Sequence, residues 1–95
     1  IYNYSDIEGV FTDYYNFERK DVFDISQKLQ DLSKEIPTEI ILEEIQNYML
    51  LLLKSNPSNF NIIKHIEIIE NAKRQAKLNL KPINIFDDIC LKIIK

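Results

Sequence analysis

The sequence contains little of the material from which turns, disulfides and metal sites are made. Its 95 residues include one Gly, three Pro, one Cys, one His and no Trp. An all-β domain needs a turn about every 8–12 residues, so this composition excludes that class. One Gly cannot build a phosphate-binding loop, and one Cys excludes an intramolecular disulfide or a Cys-rich zinc site. The low content of turn-forming and metal-binding residues favours a single all-α domain.

Long apolar runs are also missing. The longest uninterrupted run extends from Tyr48 to Leu53, whereas a membrane-spanning helix needs about 20 apolar residues. No charged segment followed by an apolar one opens the chain, so no secretory signal is visible and we expect a cytoplasmic protein. Because the chain opens with Ile1 and not Met, we expect residues 1–95 to form a single helical domain at the C-terminal part of a longer chain.

What the sequence does contain is apolar residues at helical spacing. They predict a compact antiparallel bundle of about five helices, joined by short connections. The stripes, in chain order, are Ile7/Val10 or Phe11/Tyr14, Val22/Ile25/Leu29/Leu32/Ile36, Ile41/Ile45/Tyr48/Met49/Leu52, Ile62/Ile66/Ile69/Ala72/Ala76 and Ile85/Phe86/Ile89/Cys90/Ile93/Ile94.

Polar residues and prolines predict where these helices begin and end. Ser5 and Glu8 have the spacing of a capping box. The second helix is predicted from Glu18 to Lys34, and Pro37 prevents its continuation. The side chains expected to cap the remaining three helices are Thr38, Ser58 and Asn84.

Two features suggest contact with other proteins. The third helix is apolar on all sides from Met49 to Leu53, so those residues are covered either by their own domain or by a partner chain. We therefore take Met49, Leu50, Leu51 and Leu53 as a candidate interface. In addition, residues 1–53 hold 4 Lys and Arg against 11 Asp and Glu, a net charge of −7, whereas residues 54–95 hold 8 against 4, a net charge of +4. Halves of opposite charge can attract each other or offer two different faces to neighbours.

The residues that could carry catalysis are few, and we expect no enzyme activity, no cofactor and no metal. The only histidine, His65, follows Lys64 on an Ile-rich helix, and no motif places a Ser or Cys90 beside it. The acidic pairs Glu43-Glu44 and Asp87-Asp88 do not converge on one ion, because adjacent helical residues point about 100° apart.

A basic cluster near the end of the fourth helix is a candidate for weak phosphate contact. Its members are Lys73, Arg74, Lys77 and Lys81. The alternative is a solvated helix C-terminus, where cations are favoured by the helix dipole. The aromatic residues do not alternate with this cluster, so a stacking platform for single-stranded nucleic acid is not indicated.

The last third of the chain resembles a known family. Ala72-x-x-x-Ala76-x-x-Asn79-x-x-Pro82, followed by Ile85-x-Asp87-x-Ile89-Cys90-Leu91-x-Ile93, is similar to the C-terminal signature of bacterial DNA polymerase III clamp-loader subunits of the delta-prime or gamma/tau type. That signature is a helix with spaced alanines, a turn containing Asn and Pro, and a final helix. Lys81 stands where the second Asn of the turn is usual, and Asp87 replaces the usual Glu.

The resemblance implies a role in assembly. In such subunits the C-terminal helical domains pack into a circular collar that holds the five subunits together during DNA replication. The collar is a scaffold, and the ATPase core lies N-terminal to it. The implied partners are other clamp-loader subunits in a hetero-oligomer, with nucleic acid contacted only indirectly and with no membrane or small-molecule substrate.

Two other classes of function stay open on the residues alone. The chain could be a free-standing helical adaptor that holds a partner helix against Met49–Leu53 and the final helix. It could also be a small nucleic-acid-binding domain that uses the basic cluster, in which case its affinity should fall steeply with salt.

Overall fold

The regular secondary structure of the described part of the chain is all helical. The computed structural model describes residues 5–11, 16–78 and 80–94, with the side chains of residues 5, 6 and 8 left out of the description. These ranges contain no β-strand, which confirms the all-α class. They form a six-residue helix, α1 Ser5–Val10, and one turn of 3₁₀ helix at Arg19–Asp21. Four longer helices follow: α2 Val22–Leu32, α3 Thr38–Ser55, α4 Phe60–Lys77 and α5 Pro82–Ile93.

The start of α2 differs from the prediction of a helix from Glu18. The α-helix begins at Val22, after the 3₁₀ turn, in which the Glu18 N–H donates to the Asp21 carboxylate at 2.9 Å and the Asp21 N–H to the Glu18 carbonyl at 2.8 Å. At the other end α2 stops at Leu32, and the Ser33 hydroxyl donates to the Gln30 carbonyl at 2.6 Å. Local side-chain bonds of this kind compete with helix continuation.

Helices α3 and α4 form an antiparallel hairpin. Residues 56–59 connect them, and the start of α3 at Pro37–Ile40 lines one cavity together with Ala76 near the end of α4. The predicted caps are shifted by one residue at both helices. Pro37 and not Thr38 precedes the first turn of α3, and its carbonyl accepts from the Ile41 N–H at 3.1 Å.

The cap of α4 is Asn59 and not Ser58. The Asn59 side chain accepts hydrogen bonds from the backbone N–H groups of Asn61 at 3.1 Å and Ile62 at 3.3 Å. Ser, Asn and Asp cap about equally well, so adjacent candidates could not be separated by residue type.

Helix α5 begins two residues earlier than the predicted cap Asn84. Pro82 is its first residue and Lys81 precedes it, with the Lys81 carbonyl accepting from the Asn84 and Ile85 N–H groups at 3.0 and 3.2 Å. Proline suits the first position of a helix because its missing N–H would have no partner there.

One hydrophobic core joins all the helices. Helix α3 packs on α4, α5 packs on both α4 and α2, and α1 contacts α2 and α3. The predicted capping box of Ser5 with Glu8 and the stripe residue Tyr14 fall outside the described side chains. The buried apolar residues are Ile7, Phe11, Ile25, Leu29, Ile36, Ile41, Leu42, Ile45, Met49, Ile62, Ile69, Ala72, Ile85, Phe86, Ile89, Cys90, Ile93 and Ile94.

Candidate interaction surfaces

The leucine-rich end of α3 is divided between the core and the surface. Met49 is fully buried, so the prediction that it belongs to a partner interface needs correction: its own domain covers it. Leu51 is 58% exposed, Leu50 is also exposed, and Leu53 is half-buried. Leu50, Leu51 and Leu53 line an open depression of about 540 Å³ with Asn47 and Lys54.

Two exposed apolar residues of α4 lie at the same end of the hairpin. The amide of Gln46 donates to the Ile66 carbonyl at 3.4 Å, which places Gln46 opposite the middle of α4. Leu50 lies one turn beyond Gln46, and Ile63 lies about one turn before Ile66, so the antiparallel hairpin brings both toward its loop. Ile63 and Phe60 are exposed there. We call Leu50, Leu51, Leu53, Phe60 and Ile63 the α3–α4 surface.

A polar network crosses the outside of the same hairpin. The Gln46 amide donates to the Glu70 carboxylate at 2.9 Å, while Lys73 donates to the Gln46 carbonyl oxygen at 3.1 Å and pairs with Glu70 at 3.5 Å. The hydrogen bond from Gln46, followed by the charge of Lys73, lowers the pKa of Glu70. Each of the three side chains therefore contacts the other two.

This network removes one member of the predicted basic cluster. The Lys73 side chain is largely covered and neutralised by Glu70, so it offers little charge to a phosphate. The other three members remain exposed: Arg74, whose guanidinium lies 3.4 Å from the Asn71 side-chain oxygen, with Lys77, and Lys81 at the start of α5. The spacing Glu70–Lys73 is that of an (i, i+3) ion pair, a signal that was readable in the sequence.

The contact between α2 and α5 has a polar centre. The hydroxyl of buried Ser26 donates to the carboxylate of Asp87, and the Gln30 amide donates to the Ser26 oxygen at 3.0 Å. Asp87 itself stays exposed. Burial, followed by the negative charge of Asp87, raises the pKa of the neighbouring Cys90 thiol to about 12, so Cys90 stays protonated at neutral pH.

Three exposed apolar side chains share the helix faces of Ser26 and Asp87. Phe23 precedes Ser26 by three residues, while Ile83 and Leu91 lie four residues to either side of Asp87, which places each on the same helix face as its reference residue. Phe23 is 76% exposed, Leu91 66% and Ile83 47%. We call Phe23, Ile83, Asp87 and Leu91 the α2–α5 surface. Sequence analysis did not identify it, because Phe23 and Leu91 lie off the apolar stripes.

The residues considered for catalysis lie on two different helices. His65 is half-buried in α4, and Cys90 is buried in α5 with a thiol that is not activated. Among the described side chains, no group of three His, Cys, Asp or Glu residues is placed to hold a metal ion. None of the described helices combines the length and apolar character needed to cross a membrane.

No protein-family model, no curated protein and no solved structure matches the chain.

Proposed function

We propose that this chain is a non-catalytic, cytoplasmic oligomerisation domain, and specifically the collar domain of a bacterial DNA polymerase III clamp-loader subunit. Its role would be to hold the loader subunits together during DNA replication. The proposal joins the resemblance at Ala72–Ile93 to the surface features of the folded domain.

The break between α4 and α5 supports the resemblance. Helix α4 ends at Lys77 and α5 begins at Pro82, the positions at which the family signature has its turn and the start of its final helix. Within α5, the apolar signature residues Ile85, Ile89 and Ile93 are buried, whereas Leu91 is exposed. The signature residues thus mainly hold the domain together, and they leave one apolar side chain for a neighbour.

The observation that carries the proposal is the presence of two separate apolar surfaces. The α3–α4 surface lies at the loop end of the hairpin, and the α2–α5 surface lies beside a different pair of helices. A subunit of a closed ring needs two different contact faces, one for each neighbour, because the contact between neighbours is heterologous. Single exposed leucines are ordinary, but grouped ones mark interaction sites.

Capture of partners from the source cell tests the proposal. The tagged chain is incubated with lysate, and bound proteins are identified by mass spectrometry. We expect clamp-loader ATPase subunits, and we expect Leu50→Asp to reduce their recovery by about tenfold, since a charge placed in an apolar contact is poorly tolerated.

The matched control is Asn61→Asp. It adds the same charge to an exposed position of α4 near the same end of the hairpin, where it also suits the helix dipole. Recovery should then equal that of the unmodified chain. If no clamp-loader subunit is recovered, or if both variants behave alike, the collar assignment is wrong.

A free-standing helical adaptor is the second candidate. The open depression lined by Leu50, Leu51 and Leu53 favours it, because amphipathic helices bind to apolar surfaces of this kind. A tagged adaptor would capture proteins unrelated to the clamp loader, and recovery of those proteins would still depend on Leu50.

A further inference from the structure

The α2–α5 surface has a partner of matching chemistry on the same chain. It combines the carboxylate of Asp87 with the exposed side chains of Phe23, Ile83 and Leu91 on the same helix faces. A complementary surface would need exposed apolar side chains together with positive charge.

The end of α4 provides both. Leu78 is 75% exposed and Leu80 is also exposed, and the cations Arg74, Lys77 and Lys81 are exposed around them. Beside them lies a cavity of about 510 Å³ lined by Ile40, Ala76, Leu80 and Pro82, with Glu39 as its acidic member and Lys81 as its basic member. We call Arg74, Lys77, Leu78, Leu80 and Lys81 the basic end.

The two surfaces adjoin at the start of α5. Lys81 immediately precedes this helix and lies two residues before exposed Ile83 of the α2–α5 surface. Asp87 is six residues beyond Lys81, about 9 Å along the helix axis. When oppositely charged parts lie side by side, a second copy rotated by a two-fold axis brings each part against its complement. Both contacts then form at once in a single closed pair.

We propose that the α2–α5 surface of one copy packs on the basic end of a second copy, so that the chain forms a symmetric dimer. Asp87 of each copy faces Lys81 of the other, and Phe23 and Leu91 cover Leu78. Direct pairing of the two α2–α5 surfaces is disfavoured because it would bring two carboxylates together. The inference goes beyond the proposed function: the second copy occupies the α2–α5 surface of the free chain, and a non-identical neighbour would displace it when the collar assembles.

Sedimentation with exchanged charges tests the dimer. The purified chain is examined from about 10 μM to about 1 mM, a range suited to a weak interface. We expect concentration-dependent dimers for the unmodified chain. Asp87→Lys and Lys81→Glu alone should each weaken the dimer by about tenfold or more, and an equal mixture of the two variants should restore it, because each new charge meets its opposite across the interface.

Two further variants separate the interface from the fold. Asp87→Lys also removes the acceptor of the Ser26 hydroxyl, so Leu91→Gln supplies an independent test at an exposed position and should likewise weaken the dimer. Lys64→Glu is the control, since it reverses an exposed charge on α4 away from the basic end and should leave association unchanged. Thermal melting followed by circular dichroism confirms that each variant is folded.

The inference is overturned if the unmodified chain stays monomeric at about 1 mM, or if the mixture of variants fails to associate while both are folded. Capture of clamp-loader subunits is a separate readout, because its test varies Leu50 of the α3–α4 surface, which takes no part in the dimer. A monomeric chain that captures clamp-loader subunits would support the proposed function and contradict the dimer. A dimeric chain that captures none would support the dimer and contradict the proposed function.

Discussion

The α3–α4 and α2–α5 interfaces both bury apolar side chains, and they differ in where their polar contacts lie: those of α3–α4 are on its outer side, whereas the α2–α5 hydrogen bond reaches the buried Ser26. Gln46, Glu70 and Lys73 close the outer edge of the first interface. In the second, Ser26 is buried and bonded to Asp87, and the exposed side chains of Phe23, Ile83 and Leu91 share the helix faces of these two residues. The polar network therefore covers the outer side of the α3–α4 interface and leaves the apolar α3–α4 surface at the loop end of the hairpin. At the α2–α5 interface the exposed apolar side chains lie on the helix faces of the bonded pair itself, and their burial by a neighbour would be favourable.

The largest effect should come from the core side of the α3–α4 interface. Met49→Ala removes a fully buried side chain and should lower the free energy of unfolding by about 2–5 kcal/mol, because it leaves a cavity among well-packed neighbours. Leu51→Ala is the matched control two residues away, and it should change stability by less than about 0.5 kcal/mol. Urea denaturation measures both. Equal losses of stability in the two variants would show that Met49 is not more deeply buried than Leu51.

The next effect tests the polar centre of the α2–α5 interface. Asp87→Ala leaves the buried hydroxyl of Ser26 without its acceptor and should cost about 1–3 kcal/mol. Asp88→Ala, the same change at the adjacent residue, breaks only the exposed 2.8 Å ion pair with Lys92 and should cost less than about 1 kcal/mol. The comparison uses chemical denaturation at neutral pH. A larger loss of unfolding free energy in Asp88→Ala than in Asp87→Ala would contradict the hydrogen bond between Ser26 and Asp87.

The pH dependence of the same interface gives a smaller effect. The Cys90 pKa is raised from 9.0 to about 12 in the folded chain, so between those values the unfolded chain loses a proton that the folded chain keeps. Stability is therefore fully present below pH 9.0 and falls as pH rises toward 12. From about pH 8 to about pH 10, the unmodified chain should lose about 1 kcal/mol more than Cys90→Ala does. If the difference in unfolding free energy between the unmodified chain and Cys90→Ala is the same at both pH values, the thiol is exposed to water.

The smallest effect belongs to the exposed network of the α3–α4 interface. The pKa of Glu70 is lowered, so its ionised form supports the fold above the ordinary value of 4.5, and that support is lost as pH falls through the folded value. Glu70→Gln should reduce the melting temperature slightly at neutral pH and have no effect once the carboxylate is protonated in acid. A loss equal at both pH values would place the role of Glu70 in packing and not in charge.

Helical spacing in the sequence indicated which residues are buried but not which helices pack against each other. Helical spacing correctly identified the buried residues Ile25, Leu29, Ile45 and Ile69. It could not tell that α2 packs on α5, because an apolar stripe has no marker for the helix that covers it. Helix ends were predicted to within a few residues, since several residues near each end were able to cap.

The candidate surfaces were only partly predictable. Leu50 and Leu51 were expected at an interface and are exposed, whereas Met49 is internal, because a helix apolar on all sides still turns one side to its own core. Ser26 was missed for the opposite reason: a serine beside a stripe is usually solvated, and only the position of Asp87 on another helix makes its burial favourable.

The contact between Ser26 and Asp87 joins residues 61 positions apart in the chain, and this separation bears on the order of folding. The α3–α4 hairpin needs only its short loop to close, whereas α5 must return across most of the chain to meet α2. Loop closure costs more entropy for the longer separation, so we expect the hairpin to form before α5 docks. In kinetic terms, substitutions at Ile45 should mainly slow folding, whereas substitutions at Asp87 should mainly speed unfolding, which stopped-flow measurements on the two variants can distinguish. The last helix would then act as the closing element of the domain.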